Sequence, residues 1–378
     1  MKNSKGITLI ALIITIIVMM ILAGVTISMI VGENGIMQKT ESAKLAQEKA
    51  TAIDEVGIAW ASMNLKKVEY EQEDIFFCDE YILENQKIMN NSIKSGKVID
   101  IAYQKNDVTT VTYVSKNNNE FLIQIGKDGK TSAIDGWIQN KEQVKKDGII
   151  LNVGDKVTGY IGGGVTEWYV LGAEHGKLLI TAKTVAATEK FSQFENNING
   201  IKNIKAAEKI IDEYIQEKLN KTASDNYTDN NYAENVRSFK VQDINRALGV
   251  DPNEESSSYG NIYECNIYEN KSGKVVDTHY NYVFNTDIYS ESLVDVLVLE
   301  NNQYWLASKR CKIENNMVKM GLWGIRREYT EGRGSISEAN LWQSDSNVSG
   351  IVLSTVRPVV YLKSEVLIDS SGNLSLPN

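Results

Sequence analysis

Residues able to do chemistry are few and scattered in this chain. Its only histidines are His175 and His279. A histidine-dependent triad or a zinc site would need the two brought together with partners that no local motif supplies. Both read as loop histidines, so no catalytic residue is assigned and an enzyme is not expected. Asp225-Asn-Tyr-Thr-Asp229 offers oxygen ligands, yet Tyr227 breaks the order of a calcium-binding loop and no glycine follows at the sixth place. Gly126-Lys-Asp-Gly-Lys-Thr131 ends like a phosphate-binding loop, but Gln124 stands where that loop requires its first glycine. Gly162-Gly-Gly164 suits a hairpin loop, since no lysine–hydroxyl pair or helix follows it directly. One set has ligand-binding character: Arg326, Arg327 and Arg333 near Trp323 and Tyr329. It could grip an acidic glycan or a neighbouring subunit, or sit solvated at a hairpin tip. No cofactor is implied and no metal is assigned; for Asp225–Asp229 the alternatives are a solvated polar loop and a looser calcium site.

These residues belong to a C-terminal α+β head over 149–378. It opens with the strand-like Ile149-Ile-Leu-Asn-Val-Gly-Asp-Lys-Val157. Val165–Leu171 and Lys177–Thr181 then read as a hairpin around Gly172 to Gly176. Ile204, Ala207, Ile210, Ile211, Tyr214, Ile215 and Leu219 give a helical period over 201–219. Arg237–Arg246 suggests a shorter helix capped by Ser238. Asp251 to Asn285 is rich in Tyr and Asn without a strong period, and is expected to be a long ordered loop with minor strands. Gln303–Ser308, Val318–Ile325 and Val356–Lys363 are strand-like, with Arg357-Pro358 at the start of the last, where proline is tolerated. The Trp-Leu-Ala-Ser strand and the closing Val-Arg-Pro-Val-Val-Tyr-Leu-Lys strand resemble an uncharacterised domain attached to surface proteins of Firmicutes, prepilin-like ones among them. The element order also loosely resembles C-type-lectin-like and formylglycine-enzyme-like folds, a likeness of fold that implies no activity.

Ahead of the head, 67–139 reads as a small antiparallel meander. Lys97–Tyr103, Thr109–Val114 and Glu120–Ile125 are β-branched and aromatic runs separated by polar turns, and Lys127-Asp-Gly-Lys130 turns the chain toward a last short strand. The whole of 75–136 is read as short strands. The polar stretch Trp137–Gly148 serves as the boundary.

The N-terminus organises the rest. After six short polar residues, Ile7 to Val31 contains no charged side chain. As a helix that run spans roughly 37 Å, against about 30 Å of bilayer hydrocarbon. Ile7, Leu9, Leu12, Ile16, Leu22 and Val31 mark the expected membrane helix. Lys2 and Lys5 precede the run and no cation follows until Lys39, which favours a cytoplasmic N-terminus and an external remainder. A secretory signal would have a shorter core ending at a small-x-small site, and a lipoprotein signal would need a cysteine where Val25 stands. Gly32-Glu-Asn-Gly35 interrupts the helix. Helical signal resumes at Ile36, with Ala43, Ala46, Ala50, Ile53, Val56 and Trp60 on one face, and fades near Asn64 to Val68.

Lys5-Gly6-Ile7-Thr8-Leu9-Ile10-Ala11-Leu12 resembles the processing site of type IV prepilins and pseudopilins. The resemblance implies cleavage by a prepilin peptidase between Gly6 and Ile7, N-methylation of Ile7, a long helix over 7–66, and assembly with other pilin-like subunits through that helix. One position departs: the family carries glutamate at the fifth mature residue, where this chain has Ala11. Subunits lacking it are often minor or tip components. The alternative is an uncleaved, signal-anchored ectodomain that binds ligand or acts on wall glycans.

Composition fits either reading. There are 40 basic and 49 acidic residues, for a net charge of −9, which argues against nucleic acid as a partner. Cys78, Cys265 and Cys311 are the only cysteines, so at most one internal disulfide forms. Cys265 with Cys311, both in the head, is the pair to expect if one exists; three buried thiols is the alternative.

Overall fold

The computed structural model describes residues 13–23, 36–69, 82–104, 108–183, 188–189, 209, 211–249, 262–270, 273–281, 283–285, 290–297, 304–314, 317–327, 333–338 and 354–377. Within the apolar run, residues 13–23 are helical and every side chain is exposed, Ile16 and Leu22 included. Among the described residues no helix is long and apolar enough to cross a membrane. Gly6, Ile7, Leu9, Leu12 and Val31, and the interruption at 32–35, lie outside the described residues.

Helix α1 (Ile36–Glu69) is built mostly of good helix formers, Ala, Lys, Glu, Gln and Met, and runs to the expected end. Ala52, Val56, Ala59 and Met63 recur every three or four residues and are fully buried. They press on one face of an antiparallel meander, β1 (Gly96–Tyr103), β2 (Thr109–Ser115), β3 (Glu120–Ile125) and β4 (Thr131–Ile134), whose strands lie in chain order. The expected apolar stripe holds for Val56, with Ile53 and Trp60 at its margin. Ala43, Ala46 and Ala50, however, are exposed: the meander reaches back only to Glu48, and Ala50 lies on the helix face turned away from it.

Two carboxylates fasten α1 to the turns. Glu48 accepts hydrogen bonds from Ser115 Oγ at 2.8 Å, Asn117 Nδ2 at 2.6 Å and Asn119 Nδ2 at 2.9 Å. Seven positions on, and therefore on the same face, Glu55 accepts from the Ser95 amide at 2.9 Å and Tyr113 Oη at 2.7 Å. Partial burial pushes the Glu55 carboxyl up, but the bonds from Tyr113, Ser95 and Lys94 outweigh it and hold the carboxyl below its ordinary value.

One element corrects the all-strand reading of 75–136: Ile82–Asn90 is a helix, α2. Its apolar residues Ile82, Leu83, Ile88 and Met89 are too few for a clear period, and tertiary contact decides the outcome. Asn90 donates to the Val98 carbonyl at 3.0 Å and accepts from the Val98 amide at 2.7 Å. It thereby satisfies the backbone of edge strand β1 where the ladder bulges between Val98 and Asp100.

The stretch expected to be a polar boundary is folded as well. β5 (Ile138–Asn140), β6 (Gln143–Lys146) and β7 (Ile149–Asn152) form a three-stranded antiparallel sheet. Asp147 and Gly148, at φ of 51° and 83°, make the two-residue turn that an Asp-Gly pair favours. Trp137, Val144 and Leu151 join the core of the head.

In the head, β8 (Lys156–Val157), β9 (Trp168–Glu174) and β10 (Lys177–Ala182) confirm the expected hairpin, turned at His175-Gly176. Gly162-Gly-Gly164 lies in the β8–β9 connection. A Cβ on Gly162 would fall 2.1 Å from the Tyr227 carbonyl oxygen, so the chain can approach that closely only as glycine. β11 (Thr188–Glu189) follows. The helix expected to stop at Leu219 continues through a π-type turn (Ile215–Asn220) into α3 (Lys221–Tyr227). Asp225 therefore sits on a helix, paired with Lys221, and Tyr227 is core.

Arg237 and Ser238 end a strand, β12 (Ala233–Ser238), rather than opening a helix. α4 (Val241–Ala247) starts later, with Asp243 accepting the Lys240 amide at 2.7 Å as in the second half of a capping box. The expected loop over 251–285 contains a long hairpin, β13 (Ile262–Asn270) with β14 (Gly273–Asn281), and then β15 (Val283–Asn285). Next come α5 (Glu291–Leu297), β16 (Tyr304–Glu314), β17 (Met317–Arg327), β18 (Arg333–Glu338), β19 (Ser354–Val356), β20 (Pro358–Leu362), β21 (Leu367–Ile368) and β22 (Leu374–Ser375). One sheet runs β12-β20-β10-β9-β8, another β11-β19-β16-β17-β18-β15. The first has a core on each face: Leu178, Ile180, Val360 and Leu362 point one way, Leu179 and Val359 the other. The fold class is α+β, as expected.

Between β19 and β20, Arg357 is fully buried. Its guanidinium donates to the carbonyls of Ala182 at 3.1 Å, Leu297 at 3.2 Å and Val296, and lies between the Phe239 and Tyr304 rings, 4.9 and 5.0 Å from their centroids. Two of those carbonyls end α5, where a cation is favoured. Replacing it, Arg357→Met, is expected to cost about 3 kcal/mol or more, since several buried acceptors lose their donor; chemical denaturation reads this directly. A second expectation concerns acid. Because Glu55 titrates lower folded than unfolded, its stabilisation is complete above its ordinary value of 4.5 and is lost as pH falls through the folded value. Glu55→Gln should flatten that part of the stability–pH curve; an unchanged curve would discount the clasp.

Candidate functional site

The densest polar chemistry sits where the small domain meets the head. Glu174 ends β9, on the face opposite the core residue Ala173. Arg237 comes from β12, Asp243 and Arg246 from α4, Tyr361 from β20, and Asp100 from the bulged β1 of the small domain. Arg237 grips Asp243 with both terminal nitrogens, at 2.6 and 2.7 Å, reaches Glu174 at 3.1 Å and donates from Nε to Tyr361 Oη at 2.8 Å. Arg246 bridges the domains. Its Nε donates to Asp100 Oδ2 at 3.1 Å and its Nη2 to Glu174 Oε1 at 3.3 Å. Tyr361 Oη donates to Glu174.

Burial and pairing pull in opposite directions here. Burial works against both guanidinium charges. The carboxylates outweigh it, Asp243 chiefly for Arg237 and Asp100 with Glu174 for Arg246, so both are held above the ordinary arginine range. Glu174 is likewise pushed up by burial but held well below the usual carboxylate range by Arg246 and Arg237. Asp100 goes the other way: burial raises its carboxyl, and the Arg246 charge only partly offsets this, with Glu174 adding repulsion. Buried charges of this kind persist only when each is paired and hydrogen-bonded.

Beside Arg246 lies a cavity of about 40 Å³, lined in part by Gln86 of α2, Asp100, Gln242 and Asn245. Asn245 Oδ1 and Arg246 Nη1 are buried and make no hydrogen bond. Arg246 Nη1 instead lies 3.8 Å from Asp243 Oδ1. Gln139 of β5 completes the seam, donating to the Arg246 carbonyl at 2.9 Å and accepting from the Ala173 amide at 2.9 Å. The set holds charge and orients elements. It presents no nucleophile, and among the described residues no group of three or more His, Cys, Asp or Glu is arranged to hold a metal.

The residues singled out in the sequence fall elsewhere. Arg326 and Arg327 end β17 and Arg333 opens β18, so the backbone brings these three to the turn end of one hairpin, whereas Trp323 pairs with Glu338 at its other end; Tyr329 lies outside the described residues. His175 occupies the β9–β10 turn at φ 52°, its Nδ1 2.9 Å from Thr110 Oγ1 of the small domain, while His279 stands opposite Glu264 in the β13–β14 ladder. The two histidines are thus on different elements. Cys265 and Cys311 are on β13 and β16, and Cys78 lies outside the described residues. Sequence reasoning passed over the ionic seam because its members are 63 and 72 positions apart along the chain. The signal available was local: α4 buries all seven of its residues although Asp243 and Arg246 are among them. No protein-family model, no curated protein and no solved structure matches the chain.

Arg246→Met is expected to cost about 3–5 kcal/mol, because it leaves Asp100 and Glu174 facing each other without a cation. Since Asp100 is the small-domain end of the bridge, Asp100→Asn in the same chain should recover part of that loss. A double-mutant cycle would then give a coupling of about 1–3 kcal/mol, and additive effects would show that the bridge does not join the domains.

Proposed function

We propose that the chain is a type IV pilin-like surface subunit, inserted in the membrane by its N-terminal apolar helix, processed after Gly6 and assembled through that helix with other pilin-like subunits. The observation that carries this reading is the uncharged run from Ile7 to Val31 behind Lys5-Gly6. Supporting it, α1 is clasped by the meander only from Glu48 onward. Residues 39 to 47 are exposed, and Met37, Leu45, Ile58 and Leu65 present apolar surface on the same helix. Surface of this kind is covered when a helix packs against lipid or other helices. The bulk of the head suits a low-copy or tip subunit better than one repeated along a slender filament. In this role the head offers a binding surface, for which the arginine-bearing end of the β17–β18 hairpin is the candidate, with an acidic glycan or a neighbouring subunit as its ligand.

The absence of a carboxylate at Ala11 favours a second reading, an anchored ectodomain that is never cleaved. Expression alongside a prepilin peptidase, followed by mass spectrometry of the N-terminus, separates the two. A chain beginning at N-methyl-Ile7 is expected, and Gly6→Arg should leave the leader in place. An intact leader on the wild-type chain, or normal maturation of Gly6→Arg, would overturn the assignment.

A further inference from the structure

Glu120, at the start of β3, serves two donors with one oxygen. Its Oε1 accepts from Asn140 Nδ2 at 2.9 Å and pairs with Lys145 Nζ at 2.8 Å. Its side chain is 5 % exposed, and its other oxygen, Oε2, is buried with no hydrogen-bond partner. Asn140 closes β5 and Lys145 lies in β6. The ladder pairs Lys145 with Ile138, two residues before Asn140, so the lysine and the asparagine share one face of the sheet as diagonal neighbours. An amine and a carboxamide are therefore held against a single buried carboxylate, with a free oxygen beside them.

We propose that Lys145 and Asn140 are the two ends of an intramolecular isopeptide bond that forms after folding, with Glu120 as the proton relay. Lys145 Nζ passes a proton to the paired Glu120 and attacks Asn140 Cγ. The Nζ–Cγ bond forms, the Cγ–Nδ2 bond breaks, and Nδ2 leaves as ammonia. Glu120 takes the proton that Nζ sheds and delivers one to the departing nitrogen, so that no oxidant, reductant or further reactant is consumed. Convergence on one oxygen supplies the proximity that makes an otherwise sluggish amide exchange unimolecular. The product joins β5 to β6 covalently at the junction between the small domain and the head.

The purified full-length protein, held at pH 9 and sampled over days, is expected to lose about 17 Da, one ammonia. Trypsin should then yield a branched peptide joining Lys145 to Asn140, with cleavage after Lys145 abolished. Lys145→Arg, which keeps the positive charge, and Asn140→Ala should both stay at the unmodified mass. Glu120→Gln should slow the loss at least tenfold while the chain remains folded by circular dichroism. An unchanged wild-type mass would overturn the proposal. So would the same loss in Lys145→Arg, which would mark cyclisation of Asn140 onto its own backbone.

Discussion

The arrangement of this protein depends on keeping two arginines and three carboxylates paired in a place that water scarcely reaches. Arg237 pairs with Glu174 and Asp243, and Arg246 with Asp100, Glu174 and, at 3.8 Å, Asp243, so Glu174 and Asp243 are shared between them. A buried charge left alone costs several kcal/mol even after relaxation, whereas a fully paired set approaches neutrality. The cluster therefore contributes position more than stability. β9, β12, α4, β20 and β1 must each arrive within hydrogen-bond distance, or a charge is stranded. An apolar contact would tolerate a slide along the seam; a bidentate guanidinium–carboxylate pair does not.

This constraint explains the relation of the two domains. The small domain has its own core between α1 and the meander, and the head has cores on both faces of its central sheet. What joins them is polar: Arg246 to Asp100, Thr110 with His175, and Glu120 to Asn140 and Lys145. The three-stranded sheet β5–β7 lies between, burying Val144 and Leu151 into the head while Asn140 of β5 and Lys145 of β6 hold Glu120. Chain that reads as a linker by composition is thus the structural hinge plate of the molecule, kept polar because its partners are charged.

The long helix shows the reverse case. Glu48 and Glu55 secure its middle to the turns of the meander, while residues 39 to 47, ordinary helix formers for the most part, are exposed. A helix sustained by propensity alone is marginal in water beyond its packed part. That is the physical ground for the external partners proposed above, lipid or neighbouring helices.

From residue order alone, the amphipathic helix to about Val68, the four meander strands, the β9–β10 hairpin and the closing strand at Pro358 were legible, because each carries its own period or turn chemistry within ten or so neighbours. Three kinds of feature were not. α2 is too short to show a period, and it is helical because Asn90 and Gln86 satisfy the backbone of Val98. Arg237-Ser238 looked like a helix start but extends a sheet, because pairing with β20 outweighs local capping preference. The ionic seam and the Glu120 junction unite residues from distant parts of the chain, and no local pattern encodes which carboxylate meets which arginine. Sequence settled what each segment prefers; only the packed structure decided which charges share a cavity, since the penalty for an unpaired buried charge exists only once water has been excluded.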